Sequence, residues 1–445
     1  MKLLLFRPYY GITVNSDMQG DLGVSEYSSI VFPDLSLVYA ATVANESSSI
    51  QLDVIDANAE KKLFADLEPR LWNEYDTIIL KATAPTVKCD IELAKYLKNK
   101  YPQSKVIMAG HVSKLIKNWL IENAPEIDSI AEIPLEDYVY QLANNGDEHL
   151  HIDNLPSPNF KLFPYKKFID GQDRLRGCLH FSRGCVIGCS YCPYASFYGK
   201  KFENRSIENV IKDIKQLLNL GITNIQFRDQ FFTYDKQRVV ELCNMIIEQN
   251  LKFNWTCETK IESLNTELID IMAEAGMEMI CFGVESASKS TLKSFNRPAY
   301  DVEKIKGLIS YLNSKNVSTL AFYIIGFPED AWETIGETYD LAMYLGSKYV
   351  KFSVYTPFIS PENESVTPNS FVPFENTMSI NSSKFLSAEE INYLANQLMV
   401  MYHSKFNGFK DAYYFHFLNQ TNYRKTVAKL KREFDKNRLL NFSFN

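Results

Sequence analysis

Three cysteines share one short run, Arg183-Gly184-Cys185-Val186-Ile187-Gly188-Cys189-Ser190-Tyr191-Cys192-Pro193. Their spacing is C-x3-C-x2-C. Three thiolates this close can bind three irons of a [4Fe–4S] cube, a site ordinarily completed by a fourth cysteine. With only three, the fourth iron stays open to a small-molecule ligand. A zinc site would need a fourth Cys or His at motif spacing. The nearest candidate, His180, falls on the preceding strand. Plain buried cysteines are the remaining alternative.

A loop of this kind must be held by a rigid frame, and residues 178–360 alternate strands and helices in a regular beat. Strands are expected at 178–182, 224–228, 253–258, 279–284, 319–325 and 349–355, and helices at 207–218, 236–249, 266–275 and 302–315. Six such units make a partial (β/α)6 barrel, with chemistry at the carboxyl ends of its strands. The cysteine run follows the first of them, as this requires.

Residues 1–145 show a second alternation. Apolar runs at 2–6, 50–55, 77–80 and 105–109, with a weaker one at 127–130, are separated by helical patterns at 35–45, 57–73, 91–101 and 113–123. This predicts a parallel, doubly wound sheet. Ligands of such sheets lie beyond the strand carboxyl ends, which here carry Pro8-Tyr9-Tyr10, Asp56, Thr83-Ala84-Pro85-Thr86 and Gly110-His111. Residues 146–177 read as a linker, stiffened by Pro156, Pro158 and Pro164. Residues 361–445 read as a helical C-terminal cap, with helices at 388–404 and 423–437 and the aromatics Tyr413, Tyr414, Phe415 and Phe417 between them.

The chain has 445 residues, enough for two or three domains, with 46% hydrophobic and 23% charged residues. A net charge of −7 and the lack of a basic tract speak against nucleic-acid binding as the main activity. No run approaches the ~18–20 apolar residues of a membrane span. Residues 1–8 hold too short an apolar run for the core of a signal peptide and read as a first buried strand. The other cysteines, Cys89, Cys178, Cys243, Cys257 and Cys281, have no paired spacing. A disulfide framework is therefore not expected, and an air-sensitive cluster points to the reducing cytosol, so a cytoplasmic protein is expected.

Beyond the cysteine run, residues 1–360 resemble the radical SAM enzymes that carry an N-terminal cobalamin-binding domain. The matching segments, in order, are Leu155-Pro156-Ser157-Pro158 with Leu162-Phe163-Pro164, Phe227-Arg228-Asp229-Gln230-Phe231-Phe232-Thr233, Thr256-Cys257-Glu258-Thr259-Lys260, Ala275-Gly276, Gly283-Val284-Glu285-Ser286, and Ile325-Gly326-Phe327-Pro328-Glu329. The resemblance implies a Rossmann-like cobalamin domain (1–145), a linker (146–177), a TIM-type partial barrel (178–360) and a C-terminal helical domain (361–445). It implies that Cys185, Cys189 and Cys192 bind a [4Fe–4S] cluster and that the Tyr191 backbone lies beside the adenine of S-adenosylmethionine (SAM). Asp229, Glu258, Lys260 and Glu285 are candidates for its polar groups, and Gly326 and Pro328 for the turn beneath its adenine. Thr83, Gly110 and His111 become candidates for the cobalamin face.

The chain departs from the wider cobalamin pattern in two ways. It has no Asp-x-His-x-x-Gly motif, since Asp147-Glu148-His149 lacks the glycine and lies in the linker. It also has Ala109-Gly110-His111 where the family often has Gly-Gly. The implied reaction is SAM cleavage to a 5′-deoxyadenosyl radical, then cobalamin-dependent methyl transfer to an unactivated carbon of a natural product or peptide. A rearrangement, cyclisation or epimerisation without methyl transfer is the alternative, with Cys257 or Cys281 as a possible hydrogen donor. An external electron donor such as flavodoxin or ferredoxin is implied in either case.

Overall fold

The computed structural model describes residues 1–17, 21–25, 30–67, 75–198, 201–356, 366–371 and 382–406. The expected helix at 423–437, and the aromatics before it, lie outside the described residues.

Two parallel sheets carry the molecule. The first holds β1 (Lys2–Arg7), β2 (Gln51–Asp56), β3 (Thr77–Lys81), β4 (Lys105–Ala109) and β5 (Ser129–Ile130) in the order β2-β1-β3-β4-β5. β1 and β3 are buried almost throughout, as strands covered on both faces must be. Helix α1 (Leu35–Glu46) is capped by the Asp34 carboxylate, which accepts from the Leu37 N–H. Helices α2 (Val87–Lys100), α3 (His111–Leu115) and α4 (Leu135–Asn144) complete the helices that matter here. Of the pattern at 57–73, residues 57–67 form two short helices, Ala57–Glu60 and Phe64–Leu67, broken where Lys61 turns left-handed, and residues 68–73 lie outside the described residues. The pattern at 113–123 likewise splits, at Ile116, into α3 and a short helix Lys117–Asn123. Strand order reverses between β1 and β3, so a crevice opens there beyond their carboxyl ends.

The second sheet runs β6 (Arg176–Leu179), β7 (Asn224–Phe227), β8 (Asn254–Thr259), β9 (Met277–Glu285), β10 (Ser318–Ile325) and β11 (Tyr349–Val354), each paired in parallel with the next. Between them lie α5 (Pro193–Phe197), α6 (Ile207–Asn219), α7 (Lys236–Glu248), α8 (Thr266–Glu274), α9 (Val302–Ser314) and α10 (Trp332–Leu345). This is the expected partial (β/α)6 barrel. β6 and β11 do not pair, so a seam stays open between them. Residues of the first unit line β6 along that seam: the Cys178 thiol donates to Pro33 O at 3.7 Å and the Tyr39 ring stacks on His180 at 5.9 Å. On the other side α11 (Ala388–Phe406) packs along β11, with Tyr402 Oη donating to Ser347 O and the His403 ring beside Val350 O.

Between the sheets the chain makes only short 3-10 turns, at Ile152–Asn154, Phe160–Leu162 and Tyr165–Lys167. Val366 and Phe371, from beyond the barrel, join the core of the first sheet. No helix of the described residues is long and apolar enough to cross a membrane.

Candidate active site

The three cysteines sit on the loop between the short strand Ser182–Arg183 and α5, at the carboxyl end of the barrel. Gly184 starts the loop at φ +96°, and a Cβ there would stand 1.9 Å from Lys201 O. Only glycine passes that point. Gln230 Oε1 accepts from the Gly184 N–H at 2.7 Å, and Asp229 accepts from the Phe181 and Ser182 N–H groups and from the Ser182 hydroxyl. The Arg228-Asp229-Gln230 run thus grips the lead-in to the thiols. Across the loop, Asn296 Nδ2 donates to Ile187 O and Gly188 O, and the Ser190 N–H donates to Phe295 O.

The Cys185 thiol accepts from the backbone N–H groups of Ile187 and Gly188, while burial pushes its pKa up. Arg297 bears on Cys185 and Cys189, and Lys260 is close enough to feel both thiols. Such a cationic surround favours thiolates. Among the described residues no three Cys, His, Asp or Glu side chains converge on one point as the ligands of a single ion do. The cysteines of a cube each bind a different iron, so a cluster loop does not need such convergence.

Beneath the loop, Cys189 and Tyr191 pack against Phe327, with Phe295 and Tyr355 closing the ring; Phe295–Phe327 and Phe327–Tyr355 centroids are 4.9 and 5.1 Å apart. The signature runs that end β9 and β10 are therefore brought to the cysteine loop. Glu285 ends β9 at φ +74°, a conformation uncommon for a residue with a side chain. Its carboxylate folds back over Gly283, where a Cβ would stand 1.9 Å from Glu285 Oε1. Arg297 Nη2 lies 3.9 Å away, and burial raises the Glu285 pKa. Around this point Arg297 Nε and both Glu262 carboxylate oxygens are buried without a hydrogen-bond partner, and the Tyr191 hydroxyl lies beside Glu285 and Cys189. Buried polar atoms left open are rare and costly, and together they describe a place for a polar ligand.

The other expected contacts are distributed differently. Glu258 pairs with Arg228 at 3.1 Å, and Arg228 also donates to Tyr194 Oη. Lys260 lies 3.8 Å from Glu262, and burial lowers its pKa. Gly326, at φ +82°, packs under Ile391 of α11, and Asp330 accepts from the Gly326 and Phe327 N–H groups. Pro328 O accepts from the Lys384 N–H at 2.7 Å. Cys257 lies in the packed core outside the barrel, whereas Cys281 lies beside Glu258 and Arg228; burial holds both as thiols. Sequence reasoning missed Arg297, Glu262, Tyr194 and Asp330. None stands at a motif position, and only the packing brings them in.

In the first unit, Thr83 Oγ1 lies 2.7 Å from Thr86 Oγ1 at the end of β3. Gly110 takes φ +109°, where a Cβ would stand 2.4 Å from Ala82 O. His111 is fully buried with its ring 4.8 Å from Phe197, so it meets the helix that follows the cysteines. The crevice between β1 and β3 is lined by Arg7, Tyr10, Lys81 and Thr83 among others. The first loop, which joins β1 to α1, covers it: the Ala84 N–H donates to Leu22 O at 2.7 Å, and Tyr198 Oη of the barrel donates to Asp21 at 2.9 Å.

Comparison with known proteins agrees with this arrangement. Residues 179–342 match the model of the radical SAM superfamily. An uncharacterised methyltransferase of Pyrococcus horikoshii is 26% identical over 73% of this chain and 76% of its own length. The cytidylyl-2-hydroxyethylphosphonate methyltransferase of Streptomyces wedmorensis is 30% identical over 42% of this chain and 36% of its own. The fold is shared with the radical SAM methyltransferase TsrM of Kitasatospora setae, solved with cobalamin and a [4Fe–4S] cluster, at a TM-score of 0.64 and 13% identity, covering 80% of this chain and 73% of that one. Residues 179–342 are thus similar to the radical SAM superfamily, and the fold as a whole is the one shared with TsrM.

Proposed function

We propose that the chain is a cobalamin-dependent radical SAM methyltransferase acting on an unactivated carbon, with Cys185, Cys189 and Cys192 as the cluster ligands. The observation that carries this reading is the meeting, at one end of the barrel, of three thiols, a cationic surround and buried polar atoms left open. When bound there, a cluster and SAM supply one-electron cleavage of a sulfonium and a radical able to take hydrogen from carbon.

The chain's own residues orient and shelter that chemistry. Arg297 and Lys260 offset the negative charge of three thiolates. Glu285, pinned by its strained backbone, presents a carboxylate for the ammonium of SAM, and Arg297 and Tyr191 face the same place. Phe295, Phe327 and Tyr355 exclude water from beneath the loop. Asp229 and Gln230 act as positioning residues, since their oxygens are engaged by the lead-in to the cysteines. Glu258 holds Arg228 within the barrel. The substrate is a small molecule or peptide, and electrons come from an external donor.

Residues 1–145 serve as the cobalamin side, with Thr83, Gly110 and His111 at its face. A corrinoid is far larger than the space left in this crevice. Its binding requires the first loop to withdraw.

Anaerobically purified protein tests this reading. Wild type should hold iron and sulfide and release 5′-deoxyadenosine from SAM under reduction, and Cys189→Ala should lose both. Corrin absorption after incubation with hydroxocobalamin, with methylated product, supports methyl transfer. 5′-Deoxyadenosine without corrin uptake favours the rearrangement alternative. Unchanged SAM cleavage in Cys189→Ala overturns the assignment of the cysteines.

A further inference from the structure

The interior of the barrel holds a cation that the chain does not neutralise. Arg176, the first residue of β6, points inward, where Nη2 donates to Gln226 Oε1 at 2.9 Å and the guanidinium lies 3.9 Å over the Phe32 ring. Among the described residues no carboxylate forms an ion pair with it. Glu258 is taken by Arg228, and Asp170 is taken by Arg174 and Asn224. Cys178 and Cys281, its other neighbours, are held as neutral thiols by burial. Burial, with Arg228 adding repulsion, pushes the Arg176 pKa down to about 10. The amide nitrogen of Gln226 has no hydrogen-bond partner among the described residues. On β10 buried and half-open residues alternate, and Leu320 and Phe322 are among the half-open ones.

Stacking on a ring gives a half-buried cation only modest stabilisation and leaves its other donors open. An arginine serving only to hold Phe32 would be an unfavourable choice where a leucine would pack. A guanidinium with open donors beside an amide N–H is instead the standard complement of a planar or tetrahedral oxyanion.

We propose that Arg176 and Gln226 bind an anionic group of the substrate, a carboxylate or a phosphate, inside the barrel. This rests on the reading of the barrel mouth as the site of reaction and names the class of substrate it takes. Three residues of strand lie between Arg176 and His180, just below the cysteine loop. At about 3.3 Å per residue the anchor lies on the order of 10 Å below the reacting end. Binding at such a distance positions the carbon to be attacked without touching it.

The test reads binding directly on cluster-loaded protein, by thermal shift and calorimetry with inorganic phosphate and with succinate, against chloride at equal ionic strength. Wild type should bind at least one of the two anions. Arg176→Gln should weaken that binding at least tenfold, Arg176→Lys should keep part of it, and Gln226→Leu should weaken it severalfold. Response to phosphate alone identifies a phosphate group, and response to succinate alone a carboxylate. No binding by wild type, or equal binding by Arg176→Gln, overturns the proposal. Should Arg176→Gln fail to fold, equal binding by wild type and Gln226→Leu overturns it. Cys189→Ala should lose SAM cleavage yet bind the anion as wild type does, so the two readings can fail separately.

Discussion

Asp229 stands in a signature run after β7, and its type suggests a contact for the SAM ammonium. Its surroundings assign it other work. Two backbone N–H groups and the Ser182 hydroxyl take its oxygens, and burial raises its pKa to about 7 against those hydrogen bonds. The folded protein therefore binds this proton more tightly than the unfolded chain, whose carboxyl titrates near ~3.9. The stability this contributes is complete below about pH 4, declines as pH rises and is gone above about pH 7. Asp229→Asn keeps the shape and does not titrate. The stability of wild type relative to Asp229→Asn, from urea midpoints, should fall by about 2 kcal/mol between pH 5 and pH 8. A difference that stays flat across that range contradicts the account.

Strand ends carry the site, and β9 shows how. It runs from Met277 to Glu285, its register with β10 shifts between Gly283 and Glu285, and it stops where Glu285 turns left-handed. The turn folds the carboxylate back over Gly283, and the missing Cβ makes room for it. Gly283→Ala should leave the barrel folded, since β9 keeps its ladder, yet displace Glu285. A charge-assisted hydrogen bond is worth about 1.5–3 kcal/mol, so the KM for SAM should rise on the order of 10- to 100-fold. Unchanged KM with an intact cluster would show that Glu285 does not meet SAM.

The same strand marks what the sequence could and could not reveal. Its apolar run and the Gly-x-Glu ending were readable, as were the other barrel strands, because parallel strands buried on both faces leave continuous apolar runs. The cysteine loop was readable because its spacing is chemistry. The open atoms of Glu262 and Arg297 were not, because they reach the site from turns after β8 and β9 that carry no periodicity. Nor did the sequence tell that Glu258 would be spent on Arg228, a pairing that depends on which face of two adjacent strands each side chain takes.

The two units are locked together at one edge and only lightly tied at another. At the firm edge, Arg183 of the cysteine lead-in pairs with Glu136 of α4 at 2.9 Å, with Asp137 and Glu203 within 3.6 Å, and His149 bridges Asp137 and Glu203. Losing one partner from a buried network of this kind costs about 3–5 kcal/mol, so this edge acts as a fixed hinge post. The first loop, over the crevice between β1 and β3, is held differently. It buries Asp17 and Asp21, whose pKa values burial raises, and such carboxylates disfavour the closed arrangement. Among the described residues, it is tied to the end of the helix after the cysteines by the Tyr198 hydroxyl on Asp21. If cobalamin enters by displacing this loop, closing and binding compete, and loosening the closed state raises apparent affinity by the fraction of open protein it adds. Tyr198→Phe keeps the ring on Phe197 and removes only the hydrogen bond to the carboxylate, worth about 1.5–3 kcal/mol. Hydroxocobalamin uptake, followed by corrin absorption, should become about tenfold faster or tighter in Tyr198→Phe, with iron content unchanged. Equal uptake by the two proteins would mean that the loop does not guard the crevice and that cobalamin, where it binds, enters by another face.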